Sequence, residues 1–163
     1  MKTFQDLQEG VYDPNILKAF FLAGGPGSGK SYVVKRGTGG LGLKIVNSDD
    51  VFEKYLKDAG LSMKMPKSEE EPRDKLRDRA KAVTKSKMGN YVEGRLGLIV
   101  DGTGKDYDKI AKQATQLKQL GYDVHMIFVN TSLETALQRN AKRPRSVPRS
   151  IVTKSWNDVQ KNM

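Results

Sequence analysis

Gly24-Gly25-Pro26-Gly27-Ser28-Gly29-Lys30-Ser31 decides how this chain reads. It matches the phosphate-binding pattern G-x-x-x-x-G-K-[ST], and its flanks are those the pattern requires. The apolar run 16–23 before it reads as a buried strand, and 30–36 after it, ended by Gly37, reads as a short helix. A strand, a glycine-rich turn and a helix N-terminus together aim backbone N–H groups at an anion. Glycine is required because the turn uses dihedrals that a Cβ obstructs and because phosphate oxygens approach the backbone closely. In this pattern Lys30 reaches the β- and γ-phosphates and the Ser31 hydroxyl completes a Mg²⁺ shell. The expected ligands are therefore ATP and Mg²⁺. Gly25, Pro26, Gly27, Ser28, Gly29, Lys30, Ser31 and Tyr32 are the nucleotide-binding candidates.

Outward from the loop, strands alternate with helices. Residues 43–47 read as a second strand ending in Ser48-Asp49-Asp50, then a helix over 50–58. Two carboxylates at a strand's C-terminal end stand where open α/β sheets bind ligands, although Ser48 or Asp49 could equally cap the helix. Residues 96–100 form a near-continuous apolar run, suited to a central parallel strand, and end in Asp101-Gly102-Thr103-Gly104. An acid in that position, downstream of a phosphate loop, is a candidate to hold Mg²⁺ or its water. Residues 106–120 form an amphipathic helix, 122–129 a further strand, and Thr131 with Glu134 a capping box for the next helix. A last helix runs from 148 to about 162, burying Ile151 or Val152, Trp156 and Val159. The sole histidine, His125, lies inside a strand without an evident partner and reads as structural.

Between the second and third strands, a charged helix is expected from 69 or 72 to about 88. Ser68 with Glu71 resembles its capping box, and Leu76, Ala80 and Val83 form a thin apolar stripe. Its basic residues, Arg73 and Arg77 among them, make either a solvated face or a basic wall beside an anionic acceptor. Near the end, Arg139, Lys142, Arg143, Arg145 and Arg149 crowd into eleven residues punctuated by Pro144 and Pro148. The prolines favour a loop, and a mobile arginine loop is what phosphoryl transfer uses to neutralise the migrating group.

The fold implied is α/β, a P-loop NTPase fold with a parallel sheet of about four to five strands flanked by helices. Its 163 residues read as a single P-loop kinase-like domain, with 1–15 as an N-terminal arm and about 139–149 as an arginine-rich lid. In the arm, Phe4, Leu7, Val11 and Tyr12 could pack as an amphipathic turn. Hydrophobic residues make up 37% and charged residues 29%, with no run of membrane-span length, so a soluble, cytoplasmic protein is expected. The chain has no cysteine, which excludes disulfides, thiolate metal sites and thiol nucleophiles. A net charge of +10 permits polyanion binding, so nucleic acid is a possible partner.

The combined pattern resembles the P-loop kinases of the polynucleotide 5′-hydroxyl kinase and zeta-toxin type. The resemblance rests on the phosphate loop, on Asn47-Ser48-Asp49-Asp50, and on Arg139-Asn140-Ala141-Lys142-Arg143 followed by Val147-Pro148. Val100 to Gly104, with Gln116 to Tyr122 behind it, looks more like the zeta-toxin kinases. The resemblance implies that Asp49 deprotonates the acceptor hydroxyl, with Asp50 the close alternative, and that Arg139 and Arg143 clamp the transferred phosphate. Lys30, Asp49, Arg139 and Arg143 are thus the catalytic candidates, and Ser31 and Asp101 the metal candidates. Asp50, Thr103, Arg73 and Arg77 are candidates for the acceptor side. Polynucleotide kinases place an arginine soon after the catalytic acid to grip the acceptor's phosphate; this chain has Val51-Phe52-Glu53 there. Relatives with this layout also commonly add a strand after the lid helix, which this chain lacks up to Met163, as a minimal or shortened version would.

The activity expected is transfer of the ATP γ-phosphate to a hydroxyl acceptor, either a polynucleotide 5′-hydroxyl or a nucleotide-sugar or small-molecule hydroxyl. The alternatives are a small nucleoside or nucleotide kinase, and a nucleotide-dependent ATPase or nucleic-acid-binding module. The sequence leaves the acceptor and the oligomeric state open.

Overall fold

A computed structural model describes residues 15–37 and 41–162. The proposed N-terminal amphipathic turn, and residues 38–40 after the first helix, lie outside the described residues.

Four parallel strands form one sheet in the order β2-β3-β1-β4: β1 (Lys18–Ala23), β2 (Lys44–Val46), β3 (Leu98–Asp101) and β4 (Asp123–Phe128). β1 and β3 are central, paired in the register Phe20 to Ile99 and Leu22 to Asp101. Both are covered on both faces, which is why they read as continuous apolar runs rather than alternating ones. Six α-helices flank the sheet among the described residues: α1 (Lys30–Gly37), α2 (Ser48–Asp58), α3 (Glu70–Glu93), α4 (Tyr107–Gln119), α5 (Leu133–Ala141) and α6 (Arg149–Lys161). This is the P-loop NTPase architecture expected.

One face of the sheet packs Ala19, Phe21, Val46 and Leu98 against Leu117 of α4 and the Met88, Tyr91 and Val92 end of α3. The other face packs Leu22 and Ile99 against Val34 of α1. A third cluster, Phe52, Leu56 and Ala80, joins α2 to α3 beyond the sheet. Fully burying a side chain such as Phe52 contributes roughly 1.5–3 kcal/mol, so this satellite holds the helix pair firmly.

Local expectations gave way at several places, each for a tertiary reason. α3 continues through Gly89 and Asn90 to Glu93, past the expected end near 88. A helical glycine costs roughly 1 kcal/mol, but Tyr91 and Val92 bury themselves on the core and outweigh it. The Ser68–Glu71 box does not form: a 3₁₀ turn, Lys67–Glu69, runs straight into α3. The Glu69 carboxylate accepts from the Ser62 backbone instead, at 2.8 Å. Thr84 supplements the apolar stripe by turning its hydroxyl onto the Ala80 carbonyl at 2.8 Å. The cap of α5 is Ser132, not Thr131, because the Thr131 carbonyl accepts from the Trp156 indole of α6 at 2.8 Å. In α6 it is Val152 that is buried, while Ile151 is 52% exposed.

Candidate active site

The phosphate loop leaves β1 at Ala23 and enters α1 at Lys30. Gly27 has φ 84° and Gly29 φ 104°, in the left-handed region that favours glycine. A Cβ on Gly27 would also fall onto the Ala136 carbonyl of α5, so the loop and the helix that carries Arg139 are in backbone contact. The Gly24 amide donates to the Thr103 carbonyl at 2.9 Å, which ties the loop to the segment after β3. Lys30 donates its ammonium to the Gly24 and Gly25 carbonyls. Burial pushes its pKa down, opposed by the field of Asp101, reinforced by Arg143, and opposed again by Asp49. The Ser28 hydroxyl is buried at the loop with no hydrogen-bond partner among the described residues.

At the end of β2, Asn47 caps α2: its side-chain oxygen accepts from the Asp49 amide at 2.8 Å. Neither Ser48 nor Asp49 has to cap, so Asp49 and Asp50 occupy the first helical turn with neither carboxylate spent on capping. Acids are favoured there by the helix dipole. The Asn47 amide nitrogen also donates to Asp101 Oδ2 at 3.1 Å, linking the ends of β2 and β3. Asp49 is the one of the pair whose field reaches Lys30. The Asp50 carboxyl is pushed up by burial and by the neighbouring Glu53 and Asp49, with Arg145 opposing.

From the other side, α5 brings Arg139, whose guanidinium donates to the Ser28 carbonyl at 3.2 Å and so sits on the phosphate loop itself. α5 ends at Ala141, so Arg143 belongs to the following loop, not to the same helical face. That loop is pinned by Asn140, buried to 5% exposure, which donates to the Val147 carbonyl at 2.8 Å and accepts from its amide at 3.1 Å. Within the pinned loop, Arg145 reaches back to α2, pairing with Asp49 at 2.9 Å and Glu53 at 2.8 Å.

Together these groups line one cleft of about 870 Å³, which takes in Lys30, Ser31, Asp49, Asp50, Asp101, Thr103, Arg139 and Arg143. Arg73 and Arg77 are not among its lining residues. Arg73 pairs with Glu70 and Asp74, and Arg77 lies over the Phe52 ring at 4.3 Å, so both serve the α2–α3 junction. α3 instead contributes Lys81 and Lys85, one and two turns further on, and the lining also takes in Lys105, just before α4, and Lys109 in its first turn. Tyr32 is 66% exposed and lies beside Arg36, outside the cleft lining. The sequence reading placed Lys81 and Lys85 in its basic helix and Arg145 in its lid, but gave no individual role to Asn47, Asn140 or Arg145 and none to Lys105 or Lys109. An asparagine directly after a strand, such as Asn47, is a readable capping signal, but nothing local marks Arg145, whose partner Asp49 is 96 residues away.

A family profile described as an AAA domain matches residues 20–163. The chain belongs to that AAA domain family. No curated protein matches it significantly in sequence. Among solved structures, this AAA domain is similar to a chain of the Pnkp1/Rnl/Hen1 RNA repair complex, with TM-score 0.68 and 17% identity over 98% of this chain and 48% of that one. It is similar to a chain of the AvrRxo1-ORF1:-ORF2 complex with ATP, with TM-score 0.71 and 17% identity over 89% of this chain and 48% of that one. It also resembles a gluconokinase from Sinorhizobium meliloti 1021, with TM-score 0.51 and 15% identity over 88% of this chain and 75% of that one. At these identities the likeness is one of fold, that of P-loop kinases. The chain spans about half the length of the first two. No helix among its described residues is long and apolar enough to cross a membrane.

Asp101 of the AAA domain makes a testable link between site and stability. Burial pushes its carboxyl up; the field of Lys30 opposes this, Asp49 and Asp50 add to it, and Arg143 opposes. The native state therefore holds this proton more tightly than the unfolded chain, and ionised Asp101 costs folding free energy. Asp101→Asn is expected to raise the Tm of the nucleotide-free protein at neutral pH. The gain should be full above the raised native value and vanish below the ordinary carboxylate range, where both states are protonated. Thermal unfolding of both proteins across pH checks this; a lower Tm at neutral pH would contradict it.

Proposed function

We propose that this chain is an ATP-dependent phosphotransferase acting on the hydroxyl group of an anionic acceptor. One observation carries the reading: Lys30, Asp101, the Asp49–Asp50 pair and the arginines of α5 and its loop line the same cleft. Phosphoryl transfer needs little covalent help from a protein, so positioning and charge neutralisation are the main requirements. Lys30 and the loop amides hold the β- and γ-phosphates. Asp49 takes the proton of the acceptor hydroxyl as its oxygen bonds the γ-phosphorus and ADP leaves with the bridging oxygen. Asp49 is preferred over Asp50 because its field bears on Lys30, the residue proposed to hold the γ-phosphate. Arg139 and Arg143 offset charge on the phosphoryl oxygens.

The residues present fit a magnesium ion. The half-buried Asp101 carboxylate has only an amide donor, Asn47, among its hydrogen-bond partners on the described residues, and Ser31 lines the same cleft. No cluster of three or more acids or histidines forms a protein cage there, again among the described residues. Mg²⁺ characteristically takes one or two protein ligands and completes its shell from phosphates and water. When bound it would neutralise charge on the β- and γ-phosphates.

The acceptor's sign is argued from the mouth of the cleft. Lys81, Lys85, Lys105 and Lys109 all line the cleft. Of these, only Lys81 has an ion pair among the described residues, with Asp78 at 2.9 Å. The unmatched positive charge suits a phosphate-bearing acceptor.

Transfer of labelled γ-phosphate from ATP·Mg²⁺ to a panel of acceptors tests the proposal. The panel holds 5′-hydroxyl DNA and RNA oligonucleotides, nucleotides, nucleotide sugars and uncharged nucleosides. Label is expected on a phosphate-bearing class, with KM rising steeply with salt. Label recovered only as inorganic phosphate with every acceptor would overturn it.

A further inference from the structure

The α5–α6 loop meets α2 through one side chain. Arg145 is only 11% exposed, and its guanidinium spans two carboxylates one helical turn apart. One terminal nitrogen lies 2.9 Å from Asp49 Oδ2, the other 3.4 Å from Asp49 Oδ1, and Nε lies 2.8 Å from Glu53. The group lies 5.9 Å from the centre of the Phe52 ring between them, and its field also reaches Asp50. Both oxygens of Asp49 thus accept from the Arg145 guanidinium, which covers the edge of the carboxylate that a reacting group would approach. The loop cannot swing freely either, since Asn140 pins its far end at Val147.

We infer that Arg145 is a positioning residue, a latch that fastens the loop over residues 142–148 onto α2 and keeps Asp49 engaged until the acceptor displaces it. This rests on the reading of Asp49 as the base. The latch answers a physical need of any phosphotransferase, which must not spend ATP on water. With Arg145 on Asp49, a water beside the γ-phosphorus finds the Asp49 carboxylate already taken. When Arg145 is removed, that proton can pass to Asp49, the water oxygen bonds the γ-phosphorus, and the bond to the bridging oxygen breaks to release ADP and phosphate.

The test is ATP hydrolysis without acceptor, measured on the full chain for wild type, Arg145→Gln, Glu53→Gln and the double variant Arg145→Gln/Asp49→Asn. Arg145→Gln is expected to raise hydrolysis about tenfold, the fold-change set by losing a two-bond charge-assisted contact. The KM for ATP should stay within about twofold, since Arg145 faces α2 and not the phosphate loop. Glu53→Gln loosens the latch without touching Asp49 and should raise hydrolysis less. The double variant should return to the wild-type rate. As a second readout, trypsin should cut after Lys142 faster in Arg145→Gln, below its Tm, because the loop is released; Arg143 precedes Pro144 and is not a trypsin site. Hydrolysis unchanged or lowered in Arg145→Gln, with ATP binding intact, would overturn the latch. A rise that survives Asp49→Asn would overturn its action on Asp49. Failure of the base reading itself shows separately, in transfer by Asp49→Asn with Arg145 present.

Discussion

Replacing Lys30 by alanine is expected to abolish phosphoryl transfer, by about 10³-fold or more, while leaving the fold in place. The size follows from what the ammonium does. In a cleft that excludes part of its water, a fixed cation at the β,γ-bridge neutralises charge that no solvent can reorganise to meet. Removal of a single donor to a developing anion costs roughly 10²–10³ in kcat, and a full charge on the transferring group should cost more. Stability should not suffer. Burial lowers the Lys30 pKa, so the charged side chain is held at a cost to folding that alanine does not incur. Thermal unfolding together with single-turnover transfer separates the two effects. Turnover within tenfold of wild type in a folded variant would remove the phosphate loop from the mechanism.

Asp49→Asn is expected to lower transfer by about 10²–10⁴-fold, the range a positioned general base supplies, with ATP affinity unchanged. The amide is nearly isosteric but cannot take a proton. On the proposed reading the nucleotide is held by the phosphate loop and by Arg139, which donates to the Ser28 carbonyl of that loop, and not by Asp49. Asp50→Asn is the control, because Asp50 shares the helical turn and burial raises its carboxyl. If the large loss falls on Asp50 instead, the two acids exchange roles. Asp49 would then be the structural anchor of Arg145. Equal, small losses in both would argue for an ATPase that needs neither.

The local signals in this chain were those carried by contiguous residues. The glycine loop, the apolar strands 16–23 and 96–100, and the α4 pattern all sit in the structure within two residues of where their composition puts them. Caps shifted by one position at α2 and α5 because several short polar residues adjoin each start. Tertiary partners then chose among them: Asn47 ties to Asp101, and Thr131 is taken by Trp156. α3 overran its glycine for the same reason, since Tyr91 and Val92 had a core to reach.

By itself, then, the amino-acid sequence determined that a phosphate loop follows a buried strand, that acids end the next two strands, and that an arginine-rich segment follows α5. Each depends on backbone dihedrals, apolar runs or proline, which act within a few residues. Only the tertiary structure decided which charged groups face one another. It turned Arg73 and Arg77 away to the α2–α3 junction and Lys81 and Lys85 toward the cleft. It set Arg139 on the phosphate loop and Arg145 on Asp49 and Glu53. Long charged side chains carry no local preference strong enough to choose a partner. They settle wherever the packing of helices on a sheet brings opposite charge within about 3 Å with water partly excluded.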